Sequence, residues 1–212
     1  MFIKDFPKLQ SPFVRIDNVN KQHVVIPQLE NGYEWIFDKG TICTEKLDGS
    51  DVSVIIERGK LTRIFNRENE IDFFSKGKDF IVDGIRHAHQ NGKCNFTDGQ
   101  YFGELIGEKL QKNPYQIKGH TWVPFDPYCK EALRYHCWDN ILGTVDVKSK
   151  ESVCAAFDII SEWFQYGLNS IYLRQKGITQ FAEGVVFYSP EGRMAKLRRD
   201  MFDWFKGRSH KE

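Results

Sequence analysis

The feature that most constrains the fold of this sequence is the run over residues 52–65. Val52-Ser53-Val54-Ile55-Ile56-Glu57 is apolar and β-branched, Arg58-Gly59-Lys60 is a turn, and Leu61-Thr62-Arg63-Ile64-Phe65 leads back. Two β-rich segments joined by a short glycine turn make an antiparallel hairpin. The pattern recurs near the carboxyl end. There Gly184-Val185-Val186-Phe187-Tyr188 is followed by the turn Ser189-Pro190-Glu191-Gly192 and by Arg193-Met194-Ala195-Lys196-Leu197.

Further strands are expected over residues 23–26, stopped by Pro27, and from Thr41 into a turn at Lys46. Residues 100–106 read as a buried strand, and residues 121–125 as another in which Pro124 points to an edge or an end. Helical spacing predicts a helix over 150–164, with Val153, Ala156, Phe157, Ile160 and Trp163/Phe164 on its core face. A second helix is expected over 72–90, through Phe74, Ile81, Ile85 and Ala88, although Gly77 and Gly84 oppose it. Antiparallel hairpins interspersed with helices predict an α+β fold. At 212 residues the chain has room for one substantial core or one core plus an appendage. The expectation is a single domain over 1–212, with residues 1–40 as an N-terminal extension packed on it.

Net charge is +1, so nothing global announces a nucleic-acid partner, and distribution matters more than the sum. The last stretch is basic, with Arg193, Lys196, Arg198, Arg199, Lys206, Arg208 and Lys211 against Asp200 and Asp203. It reads either as a solvated charged tail or as a local nucleic-acid contact. Five scattered cysteines (Cys43, Cys94, Cys129, Cys137, Cys154) form no CxxC pair, which argues for a reducing compartment rather than a disulfide framework. Cys129, His136 and Cys137 lack zinc-site spacing, and His87 and His89 read as surface residues. No signal peptide or membrane span is visible, so the expected location is the cytoplasm, including a host cytoplasm for a phage or viral protein.

Chemistry concentrates in an ordered series. Glu45-Lys46-Leu47-Asp48-Gly49-Ser50 lies between two strand-like segments. A lysine there is a nucleophile only if it sheds its proton, through desolvation or neighbouring cations. Alone, the same lysine reads as an exposed strand-end residue. Arg67 follows the outgoing hairpin, and Gly103-Glu104-Leu105-Ile106-Gly107 sets a carboxylate in an apolar strand. Phe125-Asp126 ends another strand, and Glu183-Gly184-Val185-Val186-Phe187 heads a second apolar strand with an acid. Lys196 and Arg198, two apart, share a face of the last strand. A carboxylate within an apolar strand is costly without a partner, which a buried ion pair or a ligand would supply.

This series resembles the covalent nucleotidyltransferases: ATP-dependent DNA ligases, RNA ligases and messenger-RNA capping enzymes. Within them it looks most like the nick-sealing RNA ligases of T-even phages, over roughly residues 41–202. The resemblance implies an ATP-grasp-like ligase domain of antiparallel sheets flanked by helices. It also implies an RNA ligase that joins a 3′-hydroxyl to a 5′-phosphate through lysyl-AMP and adenylylated RNA. Lys46 would take AMP, Glu45 would border the purine through its backbone, and Asp48, Gly49 and Ser50 would line the sugar and phosphate. Arg67 would contact the sugar or a 5′-phosphate, Glu104 would accept ribose hydroxyls, and Phe125 would stack on the purine. Glu183 would hold catalytic Mg²⁺, for which Mn²⁺ can substitute, and Lys196 and Arg198 would neutralise the α-phosphate.

Two departures from the family pattern stand out. The last motif usually carries two lysines, whereas here it reads Lys196-Leu197-Arg198. About ten residues follow Phe202, so the expectation is a catalytic domain with no C-terminal accessory domain. A GTP-charging capping enzyme and a DNA ligase share the lysine chemistry, and an RNA-binding module that has lost catalysis is the non-enzymatic alternative.

Overall fold

The computed structural model describes residues 2, 3, 5–74, 76–90 and 96–206. Cys94, Arg208 and Lys211 lie outside the described residues. The strands are β1 (Phe13–Asp17), β2 (His23–Leu29), β3 (Ile42–Lys46), β4 (Ser50–Glu57), β5 (Lys60–Asn66), β6 (Asn69–Ile71), β7 (Gly99–Gly107), β8 (His120–Pro124), β9 (Gly184–Tyr188) and β10 (Met194–Arg198). The α-helices are α1 (Asp79–Gln90), α2 (Lys150–Glu162) and α3 (Ile171–Arg174). Every strand pairing is antiparallel, so the fold is the α+β arrangement expected. Among the described residues no helix is long and apolar enough to cross a membrane.

The chain forms two compact units, one of Met1–Lys8 with Leu47–Glu131 and one of Leu9–Lys46 with Ala132–Glu212. The first is built on a five-stranded sheet in the order β6-β5-β4-β7-β8. Alternate residues of its strands (Val52, Val54, Ile64, Leu105, Trp122) join Ile81, Ile85 and Ala88 of α1 in one core. Gly84 has a packing reason to be there, since a Cβ would lie 2.4 Å from Leu105 Cδ1. Helix α1 starts at Asp79 rather than near residue 72. Gly77 is left-handed (φ 80°), which breaks the helical run, and Phe74 is 93% exposed instead of joining the apolar face. Pro124 ends β8 on the sheet edge, as a residue without an N–H requires.

The second unit holds the pair β1-β2 and the three-stranded sheet β10-β9-β3. Strand β2 runs past Pro27 to Leu29, because its pairing with β1 shifts register between Phe13 and Arg15 and absorbs the proline there. Ser149 caps α2 by accepting from the Ser152 N–H, and Val153, Ala156, Phe157 and Ile160 are buried as the spacing predicts. The helix gives way to a π-turn over Trp163–Gly167, where Phe164 stays fully buried. Arg199 locks that turn from within: its Nε donates to Phe164 O at 2.9 Å, and its guanidinium lies 3.8 Å from the Phe181 ring centroid. The basic stretch at the carboxyl end is therefore not one surface. Arg199 is a core residue, and Arg193 pairs with Glu191 at 3.1 Å.

Candidate active site

In the second unit the strand register brings four of the sequence-marked residues together. Lys46 pairs with Gly184, and Gly184 pairs with Arg198 on its other side. Thr44, Val186 and Lys196 form the next row of the same face. Lys46, Lys196 and Arg198 thus share one face of β10-β9-β3. Gly184 at the centre of the first row has no room for a side chain, since a Cβ would sit 2.2 Å from Leu197 O. The opposite face belongs to the core, with Glu45, Val185 and Leu197 all fully buried.

Glu183, at the head of β9, is 5% exposed. Its Oε2 accepts from Lys46 Nζ at 2.7 Å, and its Oε1 lies 3.8 Å from Arg198. Arg198 also reaches Asp200 at 3.0 Å. A planar guanidinium can span two carboxylates, which a single ammonium does less well, and this is what the arginine adds where the family pattern has lysine. The Lys46 side chain is 21% exposed and is held by a carboxylate rather than surrounded by cations alone. An amine acts as a nucleophile only once it has given up a proton.

Glu45 turns the other way. Its carboxylate accepts from Ser170 Oγ at 2.5 Å and from the Tyr172 N–H at 2.9 Å, tying β3 to the start of α3. Asp126 forms an Asx-turn, with Oδ1 accepting from the Tyr128 N–H at 2.8 Å.

In the first unit the marked residues gather round the start of β4. Glu104 Oε1 accepts from the Gly49 N–H at 2.9 Å, and Ser50 Oγ donates to Asn66 Oδ1 at 3.0 Å. A side chain at Gly49 is impossible here, because its Cβ would lie 2.1 Å from Leu105 O. Arg67 is exposed in the turn between β5 and β6, left-handed at φ 53°, with its N–H donated to Asp51 O. The Phe125 ring is half-buried, 5.0 Å from the Phe6 ring, with Lys130 Nζ 5.2 Å from its centroid.

Several residues at this place were invisible to sequence reasoning. Asp51 pairs directly across the strands with Glu104, so two acids share one face. The Phe6 N–H donates to Asp51 Oδ2 at 3.3 Å, and the Asp5 carboxyl lies against the same group. Burial first, then the hydrogen bond to Asp5 and the charges of Asp5 and Glu104, push the Asp51 carboxyl up to about 7. The signal was the register, since β4 and β7 had to be aligned before Asp51 and Glu104 could be seen as neighbours. Tyr115 and Lys130, buried to 3% and 2% exposure, lie in loops and carried no local signal.

A model of the RNA ligase family matches residues 40–207, most of the chain. The chain belongs to the RNA ligase family. No curated protein matches it in sequence. Among solved structures, it resembles a Naegleria gruberi RNA ligase with PPi, at 18% identity and a TM-score of 0.46 over 77% of this chain and 51% of that one. A mutant of the same Naegleria ligase with ATP and Mn matches at 18% identity and 0.46, covering 90% and 59%. Another with AMP and Mn matches at 17% and 0.47, covering 90% and 59%. The chain spans about half to three fifths of the length of these ligases. At such identities and scores, family membership rests on the sequence match. Among the described residues no three His, Cys, Asp or Glu side chains cluster as a preformed metal site.

Proposed function

We propose that this chain is an ATP-dependent RNA ligase of the nick-sealing type, working through lysyl-AMP. The observation that carries the reading is the shared face of Lys46, Lys196 and Arg198 with Glu183 clasping Lys46 at 2.7 Å. A lone structural lysine needs no such company.

In the first step Nζ of Lys46 attacks the α-phosphorus of ATP, a P–N bond forms, and the bond to pyrophosphate breaks. The Nζ proton can pass toward Glu183 Oε2, to which the amine already donates at 2.7 Å. Lys196 and Arg198 counter the charge that grows on the α-phosphate oxygens, where fixed cations lower the barrier more than they lower the ground state. In the second step a 5′-phosphate of RNA displaces Lys46 and takes the AMP. In the third a 3′-hydroxyl attacks that phosphate, AMP leaves, and the strand is sealed. Glu104 accepts ribose hydroxyls, Phe125 stacks on the purine, Asp48, Gly49 and Ser50 line the sugar and phosphate, and Arg67 meets the sugar or the 5′-phosphate. Bonds to Gly49 and Asn66 hold Glu104 and Ser50, which supports these roles.

Glu183 fits a Mg²⁺ or Mn²⁺ site. Mg²⁺ asks for only one or two protein carboxylates when phosphates and water complete its shell, and this carboxylate is buried beside the amine. Such an ion supplies charge neutralisation and orientation of the phosphate.

Incubation with labelled ATP and a divalent cation, followed by a denaturing gel, tests the reading. A covalently labelled band is expected with ATP, not with GTP, and it discharges when RNA with a 5′-phosphate nick is added. Labelling by GTP alone, or discharge only by DNA ends, contradicts the assignment.

A further inference from the structure

The segment that follows the nucleophile is held by three contacts, two of them from a loop to which none of the roles above is assigned. The Asp48 N–H donates to the Tyr115 hydroxyl oxygen at 2.7 Å. The next residue is held at both ends of its peptide: Gly49 N–H on Glu104 at 2.9 Å, and Gly49 O accepting from Gln111 Nε2 at 3.2 Å. Two of these three partners come from the loop over residues 108–119, between β7 and β8.

That loop is wound at a cost. Gln111, Lys112, Asn113 and Gln116 all have left-handed backbones, with φ of 46°, 63°, 53° and 48°. For residues other than glycine this conformation costs about 1 kcal/mol each, and such strain persists only where surrounding structure fixes it. Asn113 does part of the fixing. Its Nδ2 donates to Ile117 O at 2.9 Å and its Oδ1 accepts from the Ile117 N–H at 3.0 Å, closing the loop on itself. The product of this winding is a tyrosine that is 3% exposed, with its hydroxyl oxygen on the Asp48 amide. A ring buried only for packing does not need its oxygen at that point, and a loop free to relax does not need four left-handed residues.

We propose that Tyr115 is a positioning residue for nucleotidyl transfer, its hydroxyl fixing the Asp48-Gly49 backbone directly after Lys46. The proposal rests on the ligase reading above. Gly49 cannot drift toward β7 because it already touches Leu105 O, so Tyr115 and Gln111 remove the remaining freedom of the turn. The residues that line the sugar and phosphate are then preorganised before the nucleotide arrives, and positioning of this kind acts on rate rather than on affinity.

Tyr115→Phe removes one oxygen and keeps the ring. Single-turnover labelling over a range of ATP concentrations should give a maximal adduct rate lowered about tenfold, the effect of one lost hydrogen bond at its upper range. The half-saturating ATP concentration should move less than about twofold, with the melting temperature nearly unchanged. Asn113→Ala keeps the hydroxyl and opens the loop, so it should lower the same rate by a smaller factor; it also serves if Tyr115→Phe fails to fold. A wild-type maximal rate in Tyr115→Phe, or a loss entirely in ATP affinity, overturns the proposal while leaving the ligase reading intact. No label on the wild-type protein overturns the ligase reading, and the positioning role falls with it.

Discussion

The two units gather charge in opposite ways. In the second, one buried acid, Glu183, lies beside two cations, Lys46 at 2.7 Å and Arg198 at 3.8 Å, so opposite charges compensate one another. In the first, Asp5, Asp51 and Glu104 are like charges, relieved by backbone N–H groups of Phe6 and Gly49 and by a proton kept on Asp51. The acid of the second unit is balanced by neighbouring cations, whereas in the first unit burial and like charge hold a proton on Asp51 up to about 7. On the proposed ligase reading, the ion pairs of the second unit would serve displacement at phosphorus, and the acids of the first would serve hydrogen bonding to hydroxyls.

The largest expected effect breaks the comparison on the phosphorus side. Lys196→Ala or Arg198→Ala should lower the maximal rate of adduct formation on the order of 100-fold with little change in half-saturation, read by single-turnover labelling. If either instead weakens ATP binding alone, these cations act in the ground state and the contrast between the units fails. Of similar size, Glu45→Ala should lower stability by about 3 kcal/mol in denaturant melts, because it strands the buried Ser170 hydroxyl and the part-buried Tyr172 N–H. Its ATP half-saturation should stay close to that of the wild type, which separates it from its neighbour Lys46.

Glu104→Ala should raise half-saturating ATP about tenfold, through the lost ribose acceptor and the freed Gly49 amide, and should change the maximal rate less. A further prediction concerns pH. An acid whose folded pKa is raised from 3.8 to about 7 binds more protons folded than unfolded between those values, so its contribution to stability falls as pH rises from about 4 to 7. Asp51→Asn removes that fall. Melting curves should show the variant gaining on the wild type from pH 5 to pH 8, and an unchanged difference across that range would remove the shared proton from the account.

How much of this was legible in the sequence follows from the range of each interaction. The hairpin of β9 and β10 was readable because Ser189-Pro190-Glu191-Gly192 fixes its turn locally, and the residues with chemistry stood out as charges in apolar strands. Their grouping was not readable. That Lys46 lies in a row with Arg198 depends on pairing strands over 130 residues apart, and a one-residue slip would have put Lys46 in the core and Glu45 on the open face. Phe74 was misplaced because an apolar residue at helical spacing says nothing about a left-handed glycine three residues later. Asp5 and Tyr115 carried no local signal, since each acquires its role from a distant partner.

The central claim is that Lys46 is the atom-bearing nucleophile, and peptide mapping of the labelled protein tests it most directly. After incubation with ATP and a divalent cation, proteolysis and mass spectrometry should place a single AMP on Lys46, and Lys46→Ala should carry none. AMP on Lys196 or another lysine, or undiminished labelling of Lys46→Ala, would contradict it.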